Sequence, residues 1–127
     1  MKWTWPLQSG YLYIAGTIGL TVYGQLVIKW QSLIQSNQSG ASSGKMGYLF
    51  AMLSNPWVIS SLLAAVLASF CWMLAVARFP LSVAYPYMSL SFAGVIVLSA
   101  CFFGETFTPS KALGLLLLGC GIYFLGR

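Results

Sequence analysis

One segment of the chain is too long and too free of charge to fold inside a small soluble protein. Residues 83–103 contain 21 positions without a formal charge. At about 1.5 Å of rise per residue, a helix of this length crosses a hydrocarbon core of roughly 30 Å. Tyr85, Pro86 and Ser89 lie inside the segment, where polar and helix-breaking residues are costly unless they meet protein or line a cavity. The segment therefore predicts a membrane-spanning helix that is bent and polar on one side.

The composition of the whole chain is also typical of a membrane protein. It is 59% hydrophobic and only 6% charged over 127 residues, whereas soluble domains carry about 25% charged residues. The net charge of +5 comes from single, scattered Lys and Arg residues, so no basic cluster favours nucleic acid as a partner. Anionic lipid, as a headgroup or as a substrate, matches these charges better.

Apolar runs and turn signals predict an all-α membrane protein with a single domain, residues 1–127, and four transmembrane helices. The polar Ser- and Gly-rich segment of residues 35–45 predicts a loop, and Asn55 with Pro56 predicts a helix cap followed by a first-turn proline. Residues 46–53 are too short to span and predict an interfacial turn or an extension of the second helix. The predicted helices cover about residues 10–34, 56–77, 81–103 and 109–126.

Polar side chains recur along one side of the first predicted helix. Thr17, Thr21, Gln25 and Lys29 are each four residues apart, so they form one slowly drifting stripe. Because polar groups are costly against lipid, we expect this stripe to face the interior of the protein.

The third predicted helix carries a matching polar face, since Ser82, Tyr85 and Ser89 follow a three–four spacing. We expect Thr21 and Gln25 of the first helix and Tyr85 and Ser89 of the third to be the polar lining of a groove near mid-membrane. The alternative is ordinary hydrogen bonding between helices, which contributes only about 0.6 kcal/mol per contact. We favour this structural alternative for Thr21 and Ser89. Gln25 and Tyr85 favour substrate binding, because both are large and polar at depth.

Charged residues near the membrane surfaces supply the other candidate binding groups. Lys29 and Glu105, the only acidic residue of the chain, are predicted at the same membrane level. In one interpretation, Glu105 competes with an anionic headgroup for Lys29, as a gate or a ligand site. In the other, both side chains extend to the headgroup region without meeting. Arg78, at the opposite surface, either holds a phosphate or acts as a topology anchor.

The chain lacks the groups that enzyme chemistry and metal binding require. There is no His, no second acid to pair with Glu105 and no Gly-rich phosphate loop, and one acid cannot serve as both general acid and general base. Cys71, Cys101 and Cys120 have no metal-ligand spacing. We therefore expect no catalytic residue, no metal site and no cofactor, in a protein that is not an enzyme.

Three segments resemble a known group of transporters. GQLVIKWQ at residues 24–31, PLSVAYPYMSLSF at 80–92 and GETFTPSKALGLLLLGCGIYFLG at 104–126 are similar to small four-helix, EamA-like members of the drug/metabolite transporter superfamily. Within it, they resemble the paired small subunits of the undecaprenyl-phosphate-aminoarabinose flippase. The positions that match this group are Gly24, Gln25, Lys29, Ala84, Tyr85, Pro86, Ser89 and Glu105.

The resemblance implies a flippase that moves a polyprenyl-phosphate-linked monosaccharide across the bacterial inner membrane, for lipopolysaccharide or glycan modification. It also implies a bundle like that of the small multidrug-resistance proteins, working among membrane lipids as a homodimer or as a heterodimer with a similar small subunit. Physical reasoning agrees, because a laterally open polar groove passes a hydrated headgroup while the lipid tail stays outside. A single four-helix unit is too thin to enclose a sugar.

Two other functions fit parts of the sequence. A small multidrug-type cation exporter matches the chain in size and in its glycine-rich last helix, but that family depends on an acid in its first helix, where this chain has Lys29. A non-transporting assembly subunit would use the glycines of the last helix for close packing and needs no polar stripe. Those glycines are Gly114, Gly119 and Gly121.

Overall fold

The computed structural model describes residues 7–38 and 44–127, and every regular element within these ranges is a helix. The predicted all-α class is confirmed. Three stretches are long and apolar enough to cross a membrane, namely Ser9–Gln38, Pro56–Val76 and Leu81–Phe103, so the protein is a multi-pass membrane protein. The helices are α1 (Leu7–Gln38), α2 (Lys45–Leu53), α3 (Pro56–Val76), α4 (Leu81–Met88), α5 (Leu90–Phe103) and α6 (Pro109–Leu125).

Helices α1 and α3 form the most extensive helix pair. Small side chains let helix backbones approach closely in a membrane, where apolar burial alone does not drive association. Gly24 of α1 is buried against α3, and a methyl group placed on it would lie 3.4 Å from the Ser61 carbonyl oxygen. The face of α3 that packs inward consists mainly of small residues; its buried members are Val58, Ser61, Ala64, Ala68 and Ala75.

The polar segment after the first span is partly helical. The prediction of a loop from residue 35 was wrong for residues 35–38, because α1 continues to Gln38. Gln, Ser and Asn cost a helix only fractions of a kcal/mol per residue, about 0.7 at most, and the first glycine of the segment comes at position 40. Residues 45–53 form the separate helix α2 rather than a turn or an extension of α3. Residues 39–43 lie outside the described residues.

Asn55 both starts α3 and ties it to α1. Its side-chain oxygen accepts a hydrogen bond from the Trp57 N–H at 3.0 Å, directly before the first-turn proline Pro56, as predicted. Its side-chain nitrogen donates to the Gln31 side-chain oxygen at 2.8 Å. Gln31 is buried, with only 4% of its surface exposed, so this bond satisfies a polar group that would be costly to bury alone.

Replacing Asn55 by alanine is expected to lower the free energy of unfolding by about 1–2 kcal/mol. The variant loses the cap and leaves the buried Gln31 oxygen without the donor that Asn55 supplies. Asn55→Asp is the matched control, because its carboxylate keeps the cap but cannot donate to Gln31. Thermal unfolding in detergent should rank wild type above Asn55→Asp, and Asn55→Asp above Asn55→Ala. An alanine variant as stable as wild type would contradict this role.

The third predicted span is divided into two helices. α4 ends at Met88 and α5 begins at Leu90, with Ser89 in a turn between them. Pro86 has no N–H to donate to the Ser82 carbonyl, but the break falls three residues later, where Ser89 bonds to the Pro86 carbonyl. The Ser89 N–H then bonds to both the Tyr85 and Pro86 carbonyls, at 3.3 and 3.2 Å, and its hydroxyl also donates to the Pro86 carbonyl. The sequence predicts a bend at Pro86, whereas α4 continues through Pro86 and the structure has its break at Ser89.

Helix α6 lies at the edge of the bundle. It packs mainly against α4 and contributes no buried residue. A Cβ placed at Gly114, Gly119 or Gly121 would have nothing within 4 Å among the described residues. The glycine-bearing side of α6 therefore packs against no other helix of the described chain.

Candidate functional site

A groove opens between α1, α3 and the α4–α5 junction. Its volume is about 570 Å³. Tyr85, on its wall, is 61% exposed, and Gln25 is exposed as well, so the groove is open to the surroundings of the bundle rather than sealed. Its polar lining comes from four helices and one junction. The residues are Thr17, Thr21 and Gln25 from α1, Ser61 and Ser69 from α3, Tyr85 from α4, Ser89 at the α4–α5 junction and Ser91 from α5.

Most hydroxyl groups of the groove are engaged within their own helix. Thr17 donates to the Tyr13 carbonyl at 2.8 Å, and Ser69 donates to the Ala65 carbonyl at 2.9 Å. Ser61 and Ser91 make similar bonds to the carbonyls three residues earlier, each at 2.7 Å. Each of these hydroxyls can still accept a hydrogen bond but has no proton left to donate. Their bonds are structural, as in the alternative in which the polar side chains serve the protein rather than a substrate.

Gln25 differs from these hydroxyl residues. Its side chain makes no hydrogen bond within the part of the chain that the structure describes, while it lines the groove. A primary amide offers two donors and one acceptor. Gln25 therefore brings donors that the intrahelically bonded hydroxyls lack, at the position where the sequence predicts a substrate-binding residue.

Aromatic and sulfur-containing side chains form the opposite wall. Trp72 of α3 and Tyr85 of α4 meet with ring centroids 5.3 Å apart and ring planes at 74°. Met73, Met88 and Phe92 extend this wall. None of the described residues that line the groove carries a formal charge.

The two opposite charges expected at one membrane level meet at one end of the bundle. Lys29 Nζ lies 3.3 Å from Glu105 Oε1, with 46% and 36% of the two side chains exposed. The Ser99 hydroxyl donates to Glu105 Oε2 at 3.0 Å. The pair joins α1 to the turn between α5 and α6. Lys29 does not line the groove, but it follows Gln25 by one helical turn on α1.

The partners of Glu105 keep it ionised. The Ser99 hydrogen bond, and then the Lys29 ammonium, hold the pKa of the Glu105 carboxyl below its ordinary value. A group with a lowered pKa stabilises the folded state above the ordinary carboxyl range, and this contribution is lost as the pH falls through the lowered pKa. The Lys29–Glu105 ion pair is therefore expected to be present at neutral pH.

Carbon-13 NMR of glutamate-labelled protein can test this directly, because Glu105 is the only glutamate and gives a single side-chain carboxyl signal. The titration midpoint is expected below the ordinary glutamate value. Ser99→Ala should move it upward by removing the largest cause of the lowered pKa, and Lys29→Ala should do the same by removing the next. A midpoint unchanged in both variants would mean that neither contact forms in the membrane-mimetic environment.

Besides Lys29 and Glu105, two further predicted site residues lie away from the groove. Arg78, at the end of α3, donates to Ser9, and its guanidinium carbon lies 4.7 Å from the centroid of the Tyr13 ring. These contacts connect the start of α1 to the segment between α3 and α4. Ser82 is exposed on the first turn of α4 and does not reach the groove.

The contribution of α3 to the groove was missed from the sequence. Ser61, Ala65 and Ser69 are each four residues apart and are followed by Trp72, and all four line the groove. This is the spacing that reveals the stripe on α1. It is harder to recognise in α3 because the hydroxyls are separated by alanine and leucine, so the helix resembles an ordinary apolar span.

Neither a family model nor a solved structure matches the chain, but curated proteins do. A protein of Aeromonas hydrophila named "Probable 4-amino-4-deoxy-L-arabinose-phosphoundecaprenol flippase subunit ArnF" is 37% identical over 124 residues, covering 93% of this chain and 80% of that protein. The ArnF protein of Proteus mirabilis is 28% identical over 125 residues, covering 95% and 94%.

A second kind of subunit is also similar. A Pseudomonas aeruginosa protein named as subunit ArnE of the same flippase is 36% identical over 77 residues, which cover 61% of this chain and 67% of that protein. The resemblance noted in the sequence is thereby confirmed. Because the identity to ArnF extends over most of both chains, the protein belongs to the family of small aminoarabinose-phosphoundecaprenol flippase subunits.

Proposed function

We propose that this protein is one subunit of a flippase that moves an undecaprenyl-phosphate-linked aminopentose across the bacterial inner membrane. Relatives that are 37% and 34% identical are named as subunits of such a flippase. The observation that carries the proposal is the groove of about 570 Å³, which is open to its surroundings and has uncharged polar side chains in a largely apolar lining. One of these side chains, Gln25, precedes Lys29 by one helical turn.

In this proposal the headgroup travels through the groove while the polyprenyl tail stays in the lipid. A hydrated sugar is costly to bury in hydrocarbon without hydrogen-bond partners. Gln25 supplies donors and an acceptor, and the threonine and serine oxygens of the groove supply further acceptors. These groups lower the cost of passage for the sugar without binding it so tightly that it cannot leave.

Lys29 is the proposed ligand of the lipid phosphate. Its ammonium already holds an oxyanion, the Glu105 carboxylate, at 3.3 Å, and a phosphate oxygen is an acceptor of the same kind. About half of the Lys29 side chain is exposed, so a phosphate can approach without prior unfolding. Exchange of Glu105 for phosphate would release the α5–α6 turn from α1, which couples substrate binding to helix movement.

A second small subunit is proposed to close the open side of the groove. The described chain leaves Gln25 and Tyr85 exposed and leaves α6 with a glycine-bearing side that no helix covers. Proteins named ArnE and ArnF are both similar to this chain, which favours a heterodimer. A cation exporter of the small multidrug type fits less well, because the first helix lacks the acid on which that family depends and no acid lines the groove among the described residues.

Reconstitution into liposomes tests the proposed transport. The probe is a fluorescent polyprenyl-phosphate aminopentose. An impermeant quencher added outside the liposomes removes the fluorescence of the probe molecules that reach the outer leaflet. The protein, with an ArnE-type partner, should make nearly all of the probe accessible, whereas empty liposomes should protect the inner half. Protection that equals that of empty liposomes, from a folded complex, would overturn the proposal.

A matched pair of variants assigns this activity to the groove. Gln25→Leu keeps the side-chain size and helix propensity but loses the amide, so transport should fall about tenfold. Gln38→Leu makes the same change on the same helix at an exposed position outside the groove, and transport should stay at the wild-type rate. Equal rates for the two variants would show that the groove is not the path.

A further inference from the structure

The groove contains no partner that could form an ion pair with a cation. The only acidic side chain of the sequence is Glu105. It does not line the groove, and its two carboxylate oxygens already contact the Lys29 ammonium at 3.3 Å and the Ser99 hydroxyl at 3.0 Å. A headgroup that carries an ammonium would therefore meet no carboxylate in the described part of the groove.

The aromatic wall offers a different way to hold a cation. A cation within about 6 Å of an aromatic ring centroid is attracted by the negative face of the ring, most strongly by tryptophan and more strongly where water is displaced. Trp72 and Tyr85 both line the groove, and because their ring planes meet at 74° they enclose a corner rather than a flat stack. A small cation in this corner approaches both rings at once.

Other groups that line the same groove can supply hydrogen-bond acceptors. Gln25 lines the same groove and makes no hydrogen bond within the described residues, so its amide oxygen is available to an N–H donor. The hydroxyl of Ser69 donates to the Ala65 carbonyl at 2.9 Å, which leaves its oxygen as an acceptor facing the groove. An ammonium, which has three donors and no acceptor, suits this set of ring faces and acceptor oxygens.

We infer that the Trp72–Tyr85 corner binds the ammonium of an amino sugar and so determines the preference of the flippase for aminated over hydroxylated headgroups. This rests on the proposed function, which supplies the headgroup. The two charges of the lipid head are then recognised by different chemistry, ring faces for the ammonium and Lys29 for the phosphate. This arrangement also keeps the single carboxylate of the chain away from the sugar path.

Competition between two lipid probes tests the inference. One probe is a polyprenyl phosphate bearing a 4-aminopentose, and the other has a hydroxyl in place of the amine and is otherwise identical. The full chain with its partner subunit is reconstituted in liposomes, and transport of both probes is measured. Wild type is expected to prefer the amine about tenfold. Tyr85→Leu and Trp72→Leu should each reduce the preference to about threefold or less, while Tyr85→Phe, which keeps the ring, should retain it.

The ratio between the probes is the decisive quantity, because a loss of folded protein lowers both rates equally. Tyr85 is the safer position, since it is 61% exposed, whereas Trp72 packs against the buried core around Ala75 and Phe79. Equal transport of both probes by wild type, or a preference that survives both leucine variants, would overturn the inference and leave the proposed function standing. Transport of neither probe would instead overturn the proposed function, and the inference with it.

Discussion

Lys29→Glu is expected to slow transport of the polyprenyl-phosphate probe about 10- to 100-fold, because a hydrogen bond to a charged group contributes about 1.5–3 kcal/mol. The change removes the Lys29 ammonium, which follows the groove-lining Gln25 by one helical turn on α1. It also places a second carboxylate where Glu105 now has a partner at 3.3 Å. Like charges at this distance repel, so α1 and the α5–α6 turn should separate as well.

The exchanged double variant distinguishes these two effects. Lys29→Glu combined with Glu105→Lys restores opposite charges across the same contact, so the folded yield in detergent should return towards the wild-type level. The ammonium then lies on the α5–α6 turn instead of on α1 beside Gln25. We expect transport to stay low. Full recovery of transport in the exchanged variant would show that the pair is structural and that Lys29 is not a phosphate ligand.

Gly10→Leu is expected to destabilise the protein more than any other glycine substitution in the described chain. A Cβ on Gly10 would lie 2.8 Å from Cζ of Phe79 and closer still to Cε2. Phe79 cannot move aside easily, because it is buried with Ile14, Ala75 and Ala84 and its ring also packs against Tyr11 at 5.1 Å. Overpacking of this kind costs about 1–3 kcal/mol, and a leucine adds more atoms than an alanine at the same point.

Thermal unfolding in detergent should show the loss for Gly10→Ala and a larger loss for Gly10→Leu. Gly119→Ala is the matched control, since a Cβ there meets nothing within 4 Å. It should leave the stability unchanged or raise it by about 0.5–1 kcal/mol, because alanine loses less conformational entropy in a helix. The double variant Gly10→Ala with Phe79→Leu has a smaller side chain opposite position 10, so it should recover part of the stability that Gly10→Ala loses. Equal thermal-unfolding midpoints for Gly10→Ala and Gly119→Ala would refute the close contact between Gly10 and Phe79.

The features that depend on local chemistry were predictable from the sequence. Spacing of four residues places Thr17, Thr21 and Gln25 on one side of α1, and these three residues do line the groove. Lys29 and Glu105 were the only opposite charges available at one membrane level, so their contact was one of the two arrangements that the sequence allowed. The cap at Asn55 follows from its position before Pro56.

Features that depend on how helices pack were not predictable. Ser82 shares a helical spacing with Tyr85 and Ser89, but the break at Ser89 and the packing of α4 leave Ser82 outside the groove. Arg78 donates a hydrogen bond to Ser9 and stacks its guanidinium on Tyr13, and both residues lie on α1, far from Arg78 in sequence. Trp72 joins Tyr85 only because α3 and α4 lie side by side. No local pattern encodes these tertiary contacts.

Photocrosslinking at two neighbouring leucines of α3 tests most directly whether the groove receives the headgroup. Leu62 lines the groove, whereas Leu63 does not and is 61% exposed on another side of the helix. A photoreactive diazirine residue replaces each in turn, and mass spectrometry assigns the adduct of the polyprenyl-phosphate aminopentose to its sugar or to its tail. We predict sugar adducts at position 62 and only tail adducts at position 63. Sugar adducts at position 63 with none at position 62 would contradict a path through the groove.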